Sequence, residues 1–228
     1  MRTTIENIQI LYEDNHIIIV NKRVGDIVQG DKTGDIPLGE IVKNYIQKKY
    51  LKPGNVFLGV VHRIDRPTSG IVIFARTSKA LERLNEMLRE KKIEKTYWAI
   101  IKNNPPKESD TLIHFLKKNP KNNKSTTFSS EKEESKKAIL HYKLLKKLDK
   151  YSLLEINLET GRHHQIRCQL AAIGCPIKGD LKYGFPRSNS DGGIHLHARK
   201  IEFTHPVKNE IISLTATLPE DVIWNLCE

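Results

Sequence analysis

Short apolar runs bounded by polar turns dominate the hydrophobic pattern, and runs of this kind predict β-strands. They occupy residues 8–12, 16–22, 56–63, 70–76, 97–101, 138–148, 151–159, 194–203 and 211–217. Helical spacing of the apolar residues predicts helices over residues 38–50, 78–92 and 163–173, with a last helix beginning at Pro219. Strands outnumber helices and do not alternate regularly with them, so we predict an α+β fold with a mixed, mostly antiparallel sheet.

One segment, residues 102–135, departs from this pattern. It is rich in Asn, Pro, Lys and Ser, and its only apolar island lies between Leu112 and Leu116. We expect it to be the least ordered part of the chain. The wider stretch 101–150 holds thirteen lysines, six acidic residues and no arginine, within a chain of net charge +11. Lysine suits attraction to phosphate better than base recognition, so we expect an insertion that lies on RNA or in solvent.

Length and composition narrow the class of protein. A chain of 228 residues is long enough for one large domain with a real core. No apolar run approaches the roughly 18 residues that span a bilayer, so we expect no membrane partner, and the first residues lack the apolar region of a secretory signal. Three cysteines without a C-x-x-C spacing indicate reduced thiols, which predicts a cytoplasmic protein.

The densest cluster of reactive side chains runs from His62 to Gly70, between two predicted strands. Asp65 lies in it with Arg63 and Arg66 on either side. An aspartate in such a turn commonly serves only to hold the backbone, together with the neighbouring hydroxyls. The two flanking arginines make a purely structural turn less convincing.

A second cluster runs from Glu159 to Arg167 and leads into the predicted helix 163–173. Helical spacing places Arg167 at the edge of the apolar stripe, where its guanidinium would be partly desolvated. A buried charge without a partner costs several kcal/mol, on the order of 3–5 when a pair is broken, so Arg167 needs a carboxylate. Asp65 and Glu159 are the two candidates.

Two other kinds of site to consider are an aromatic stacking platform and a metal or nucleotide site. Tyr97 and Trp98 point to opposite faces of a strand, so one can pack in the core while the other serves as a stacking platform for a base. The histidines and cysteines match no zinc-ligand spacing, and the glycines form no nucleotide-binding motif. We therefore expect neither a metal nor a nucleotide cofactor.

Three segments together resemble the RluA-type family of RNA pseudouridine synthases. The family motif H-R-L-D-x-x-T-S-G is matched by residues 62–70, and K-x-Y-x-A by residues 95–99. The third motif, T-G-R-x-H-Q-I-R followed by a helix and then G-x-P-I-x-G-D-x-x-Y-G, is matched by residues 160–167 and 174–184. The sequence departs from the family at Arg23, where proline is usual, and at His163, where threonine is common.

The resemblance implies isomerisation of uridine to pseudouridine in structured RNA, either ribosomal or transfer RNA, within the family's catalytic fold. It makes Asp65 the essential carboxylate, Tyr97 the ring that stacks on uracil, and Arg167 the charge partner of Asp65. Whether Asp65 attacks the sugar, attacks the ring or removes a ribose proton is left open. Arg63, His62, Arg162 and Gln165 are expected to contact RNA, and no cofactor is implied.

The catalytic motif begins at residue 62, which leaves no room for the small RNA-binding domain that many relatives carry in front of it. We therefore expect a single catalytic domain over residues 1–228, with a Lys-rich insertion at about 102–135, acting as a monomer. Two alternatives remain. One is a non-catalytic RNA-binding or ribosome-associated protein, and the other is a hydrolase that uses His62 and Asp65 with Ser69 as nucleophile.

Overall fold

The computed structural model describes residues 2–31 and 33–227 and divides into two compact units. Unit 1 consists of Met1–Glu94 and Ala198–Glu220, and unit 2 consists of Lys95–His197 and Asp221–Glu228. The strands are β1 (Ile10–Glu13), β2 (Ile17–Lys22), β3 (Gly59–Val60), β4 (Ser69–Ala75), β5 (Glu94–Lys102), β6 (Ser109–Asn119), β7 (Lys124–Phe128), β8 (Lys136–Lys147), β9 (Tyr151–Leu158), β10 (Leu196–Thr204) and β11 (Ile211–Thr215). The helices are α1 (Leu38–Lys49), α2 (Ser78–Arg89), α3 (Gln165–Ala172) and α4 (Val222–Asn225), and a 3-10 turn lies at Leu181–Tyr183.

Unit 1 is built on strands β2 and β4, which are buried along their whole length. β2 pairs antiparallel with β1 and with β4, β3 pairs with β4, and β10 pairs with β11. Helix α1 contributes Leu38, Val42 and Ile46 to a core that also contains Val72 and Phe74. Full burial of each such side chain contributes about 1.5–3 kcal/mol, so this core holds the segment between β3 and β4 in place.

The local signals at helix α2 are confirmed. The Thr77 hydroxyl accepts a hydrogen bond from the backbone N–H of Ala80, as expected of an N-cap. Helix α2 ends at Arg89, and the cation there suits the negative end of the helix dipole. Helices α1 and α2, with 12 residues each, are the longest in the described chain, and none of its helices is long and apolar enough to cross a membrane.

Unit 2 contains a run of antiparallel strands in the order β5, β9, β8, β6, β7. The predicted hairpin of β8 and β9 is present, with its turn at Asp149-Lys150. The α+β prediction with a mostly antiparallel sheet is confirmed.

The prediction that residues 102–135 are the least ordered part of the chain is wrong. Strands β6 and β7 lie in this segment and form an antiparallel hairpin, and β6 also pairs with β8. Leu112 and Leu116, which share one strand face, are buried. The composition of the segment reflects the exposed lysines of the hairpin. It gives no sign of the buried face, because that face is completed by pairing with β8, which lies outside the segment.

Two predicted elements are shorter than expected, and both differences bear on function. The strand expected over residues 56–63 is reduced to Gly59–Val60, so residues 61–68 form an irregular segment that carries Asp65. The helix expected from His163 begins at Gln165, because His164 adopts a left-handed conformation with φ 53°.

Candidate active site

Asp65 lies in the irregular segment of unit 1 that leads into β4. Its carbonyl oxygen accepts a hydrogen bond from the Thr68 N–H at 3.0 Å, so the segment turns as the sequence predicted. Gly70 follows with φ +113°, and a Cβ built there would lie 2.4 Å from the backbone oxygen of Ala198 on β10. Only glycine fits this close approach, which fixes where the Asp65 turn enters the sheet.

A buried lysine, Lys22, holds the Asp65 segment from within unit 1. Its Nζ donates to the carbonyl oxygens of Arg23 and Asp26 at 2.8 Å each, and to that of Arg66 at 3.2 Å. Burial lowers the pKa of Lys22 to about 7, opposed by the negative charges of Asp26 and Asp65. In the sequence this lysine is marked by its place at the end of a strand, three residues before the loop glycine Gly25.

Two arginines and one histidine of the segment also have partners within unit 1. Arg66 forms an ion pair with Asp35. The exposed side chain of Arg63 donates to Oε1 of Gln29 at 3.2 Å, and Nε2 of His62 accepts from the backbone N–H of Ile73 at 3.2 Å. His62 therefore ties the segment to β4, and its contact with RNA stays a prediction.

Tyr97 lies on β5 in unit 2 and is buried, opposite Ile156 of β9. Trp98 is half-buried and faces the opposite side of the strand, as the two-residue period of a strand requires. The predicted difference between the two aromatic rings is therefore present. Tyr97 is the more deeply buried of the two side chains.

Arg167 lies on α3 and is buried, more deeply than the partial desolvation predicted from its helical position. Its Nε and Nη2 donate to the two carboxylate oxygens of Asp180 at 2.7 and 2.9 Å, which is a bidentate ion pair. The sequence predicts Asp65 or Glu159 as the carboxylate partner of Arg167, whereas the carboxylate in this pair belongs to Asp180. The available signal was its position in the G-D-x-x-Y-G part of the third family motif.

Gln165 and Arg162 are joined at the start of α3. The carboxamide oxygen of Gln165 accepts from the Thr160 hydroxyl at 2.8 Å and from the Arg162 N–H at 3.0 Å, and its Nε2 donates to the Ile139 carbonyl at 3.0 Å. Gln165 thus shapes the loop that presents the exposed Arg162. Direct RNA contact by either residue stays a prediction.

A basic cleft of about 590 Å³ opens in unit 2 beside this loop. Its lining is Leu116, Lys117, Lys118, Pro120, Ser125, Glu134, Lys136, Gly161, Arg162 and His163. Lys117 pairs with Glu134 at 2.8 Å, whereas Lys118, Lys136 and Arg162 form no ion pair within the described residues. Concentrated positive charge with one carboxylate suits an anionic ligand.

No group of three or more His, Cys, Asp and Glu side chains is arranged to hold a metal ion in residues 2–31 and 33–227. The three cysteines are buried and form no disulfide. Burial raises the pKa of the Cys168 thiol to about 12, so this thiol is protonated at neutral pH.

Comparison with known proteins identifies the chemistry. The family model described as RNA pseudouridylate synthase matches residues 16–172. An uncharacterized RNA pseudouridine synthase of Bacillus subtilis is 34% identical over 220 residues, covering 95% of this chain and 71% of that protein. A ribosomal large subunit pseudouridine synthase C of Buchnera aphidicola is 36% identical over 220 residues, covering 93% and 67%.

A solved structure supports the same fold. The human protein RNA pseudouridylate synthase domain containing 4 superimposes with a TM-score of 0.78 at 22% identity, covering 96% of this chain and 92% of that one. The non-catalytic and hydrolase alternatives gain no support from any of these similarities. The chain belongs to the RNA pseudouridylate synthase family, whose members isomerise uridine to pseudouridine in RNA.

Proposed function

We propose that this synthase modifies uridines of ribosomal RNA and that Asp65 supplies the carboxylate on which the reaction depends. The observation that carries the proposal is the match of residues 62–70 to the family's catalytic motif, with Asp65 at the aspartate of that motif. The choice of ribosomal RNA is supported by the Buchnera relative, which is named for the large ribosomal subunit.

The isomerisation breaks the N1–C1′ bond of uridine, turns the base and forms a C5–C1′ bond. A proton leaves C5 and N1 gains one, so no oxidant or reductant is consumed. Asp65 acts as an ionised carboxylate in each of the three routes that remain open, as a nucleophile toward C1′ or the ring, or as a base toward a ribose proton. The protonated form of Lys22 attracts this carboxylate.

Tyr97 and Arg167 are assigned to the same reaction by their motif positions. Tyr97 stacks on the uracil ring and assists removal of the C5 proton. Arg167 contributes a guanidinium whose direction is fixed by Asp180. Arg63 is assigned to the RNA at the place vacated by the flipped base, and its exposed side chain is consistent with that role.

The basic cleft of unit 2 is proposed to hold RNA phosphates. Lys118, Lys136 and Arg162 line it without a carboxylate partner in the described chain, and the lysine side chains come from strands β6 and β8. Phosphate contacts position RNA without reading its sequence, which suits lysine. This assignment gives the Lys-rich segment 102–135 a role in substrate binding.

The protein is proposed to act in the cytoplasm as a monomer with a single catalytic domain. Three buried, unbridged cysteines support a reducing compartment.

Tritium release tests the chemistry and the substrate class together. Ribosomal and transfer RNA, each labelled with tritium at uracil C5, are taken from cells that lack this gene and incubated separately with the protein. We expect wild-type protein to release tritium into water from ribosomal RNA, and Asp65→Asn to release none while binding RNA normally. Asp149→Asn, in the exposed β8–β9 turn, is the matched control and should retain full release.

The outcomes separate the parts of the proposal. Release from transfer RNA alone would overturn the assignment to ribosomal RNA. Normal release by Asp65→Asn would overturn the role of Asp65. Absence of release from both RNA pools, with binding intact, would count against mature RNA as substrate.

A further inference from the structure

Tyr183 lies at the centre of a buried polar network beside Arg167 in unit 2. Its hydroxyl oxygen accepts from the Ser125 N–H of β7 at 2.8 Å, and the hydroxyl lies 2.9 Å from Nδ1 of His164. The guanidinium carbon of Arg167 lies 5.1 Å from the centroid of the Tyr183 ring. One side chain therefore contacts the β6–β7 hairpin, the N-cap residue of α3, and the arginine itself.

The protonation states make the direction of these bonds definite. Burial raises the pKa of Tyr183 to about 12, and burial together with the positive charge of Arg167 lowers the pKa of His164 to about 2. Both groups are neutral between pH 5 and about 9. The phenol can then donate its proton to Nδ1 of His164 while it accepts from Ser125, so both hydrogen bonds form at once.

The backbone at His164 shows that this network bears strain. His164 has φ 53°, in the left-handed region that few residues other than glycine adopt, and it is the N-cap of α3. Such a conformation costs of order 1–3 kcal/mol and persists only where neighbouring contacts enforce it. The bond to Tyr183 and the stacking of His163 on His164 at 3.8 Å are such contacts. Arg167 follows three residues later, so the strained cap sets where its helix begins.

The guanidinium of Arg167 is thereby restrained in two ways. Asp180 accepts two hydrogen bonds from Nε and Nη2 of Arg167, and these fix the position of the guanidinium group. The Tyr183 ring restrains the guanidinium through a cation–π contact. Tyr183 and Asp180 are neighbours through the 3-10 turn Leu181–Tyr183, whose cap is Asp180, so one short turn supplies both restraints.

We propose that Tyr183 is a positioning residue for Arg167: its ring orients the guanidinium, and its hydroxyl ties that ring to β7 and to the start of α3. The inference rests on the proposed role of Arg167 in the reaction. Tyr183 acts through Arg167 and through the cap of α3, and it transfers no proton to the substrate.

The test compares two substitutions of Tyr183 with the same two at a buried tyrosine on β8. Tyr183→Phe removes only the hydroxyl, and Tyr183→Leu also removes the ring; Tyr142→Phe and Tyr142→Leu are the matched controls. Turnover of tritiated RNA gives kcat and KM, thermal unfolding gives the folded fraction, and Arg167→Met is measured alongside.

We expect Tyr183→Leu to lower kcat by about 10- to 100-fold with KM within about twofold of wild type, since a misplacement of about 1 Å can cost 100-fold. Tyr183→Phe should recover most of that loss, because it keeps the ring beside Arg167. The pH profile of kcat should keep its shape in both variants, because the network is neutral. The Tyr142 variants should keep wild-type kcat per folded molecule.

Three results would overturn the inference. The first is wild-type kcat in both Tyr183 variants while Arg167→Met is inactive. The second is an equal loss per folded molecule in the Tyr142 and Tyr183 variants, which would mark a merely structural effect. The third is full activity of Arg167→Met, which would refute the proposed role of Arg167 itself and remove the basis for a positioning residue. If Tyr183→Leu does not fold, the kcat of Tyr183→Phe relative to Tyr142→Phe decides.

Discussion

The Asp65 segment of unit 1 and the Arg167 region of unit 2 are held in place by different means. Around Asp65 the restraints are mostly backbone groups, namely the Thr68 turn, three carbonyl oxygens gathered by Lys22, and the close approach of Gly70 to Ala198. Around Arg167 they are side chains, chiefly Asp180 and Tyr183. Backbone restraints tolerate substitution of most neighbours, whereas a side-chain network depends on each member.

The largest effect is expected at the buried ion pair of unit 2. Asp180→Asn removes the charge that Arg167 contacts in a bidentate manner, and breaking a buried pair costs about 3–5 kcal/mol. We therefore expect the free energy of unfolding, measured by urea denaturation, to fall by about that amount. Asp149→Asn should be neutral within about 0.5 kcal/mol. A loss below about 1 kcal/mol in Asp180→Asn would mean that unit 2 does not depend on its side-chain network.

A smaller effect is expected when the buried lysine that holds the Asp65 segment is replaced. Lys22→Met leaves three carbonyl oxygens without their donor, and we expect a loss of about 2 kcal/mol in the free energy of unfolding. Methionine fills the space of the lysine stem, so the loss of hydrogen bonds is measured with little cavity formation.

The pH dependence of this difference has a definite sign. The pKa of Lys22 is lowered to about 7 from 10.5, so between these values the unfolded chain binds more protons than the folded one. Folding stability therefore rises with pH in that window and is penalised below it. The stability of wild type relative to Lys22→Met should increase from pH 7 to pH 9.5. A difference that stays constant or shrinks would show that Lys22 keeps an ordinary pKa.

Local signals in the sequence predicted the elements whose formation depends on residues close to one another in the chain. Helix α2 has its apolar stripe, its Thr77 cap and its basic end within twelve or so residues, and it forms as expected. The β8–β9 hairpin likewise follows from alternation and a two-residue polar turn. Asp65 and Arg167 could also be identified as candidate site residues, because each lies in a family motif that is a continuous stretch of sequence.

The structural features that the sequence did not reveal depend on contacts between residues that are distant along the chain. The β6–β7 hairpin is stabilised through pairing with β8, which no window over residues 102–135 contains. Asp180 pairs with Arg167 across a turn that follows no helical or strand period. The left-handed start of α3 at His164 depends on Tyr183, nineteen residues further on. In each case the decisive contact is tertiary.

The smallest effect on stability, and a selective effect on binding, is expected at the basic cleft. Lys118, Lys136 and Arg162 are exposed and outside any ion pair in the described chain, so replacing all three with glutamine should change the free energy of unfolding by less than about 1 kcal/mol. RNA affinity should fall, and the dependence of log K on log salt should flatten by about two, since each phosphate contact with single-stranded RNA contributes about 0.7.

The matched control replaces three exposed lysines outside the cleft lining, Lys52, Lys79 and Lys150, so that the net charge changes equally. If the cleft holds phosphates, the control keeps the wild-type salt slope, because only charges that displace counterions from RNA contribute to it. Equal flattening in both variants would instead attribute RNA affinity to the overall positive charge of the chain. That outcome would show that the cleft is not part of the substrate-binding surface. It would not affect the proposal for the Arg167 network, so the test of the exposed cleft is independent of the test of the buried network in unit 2.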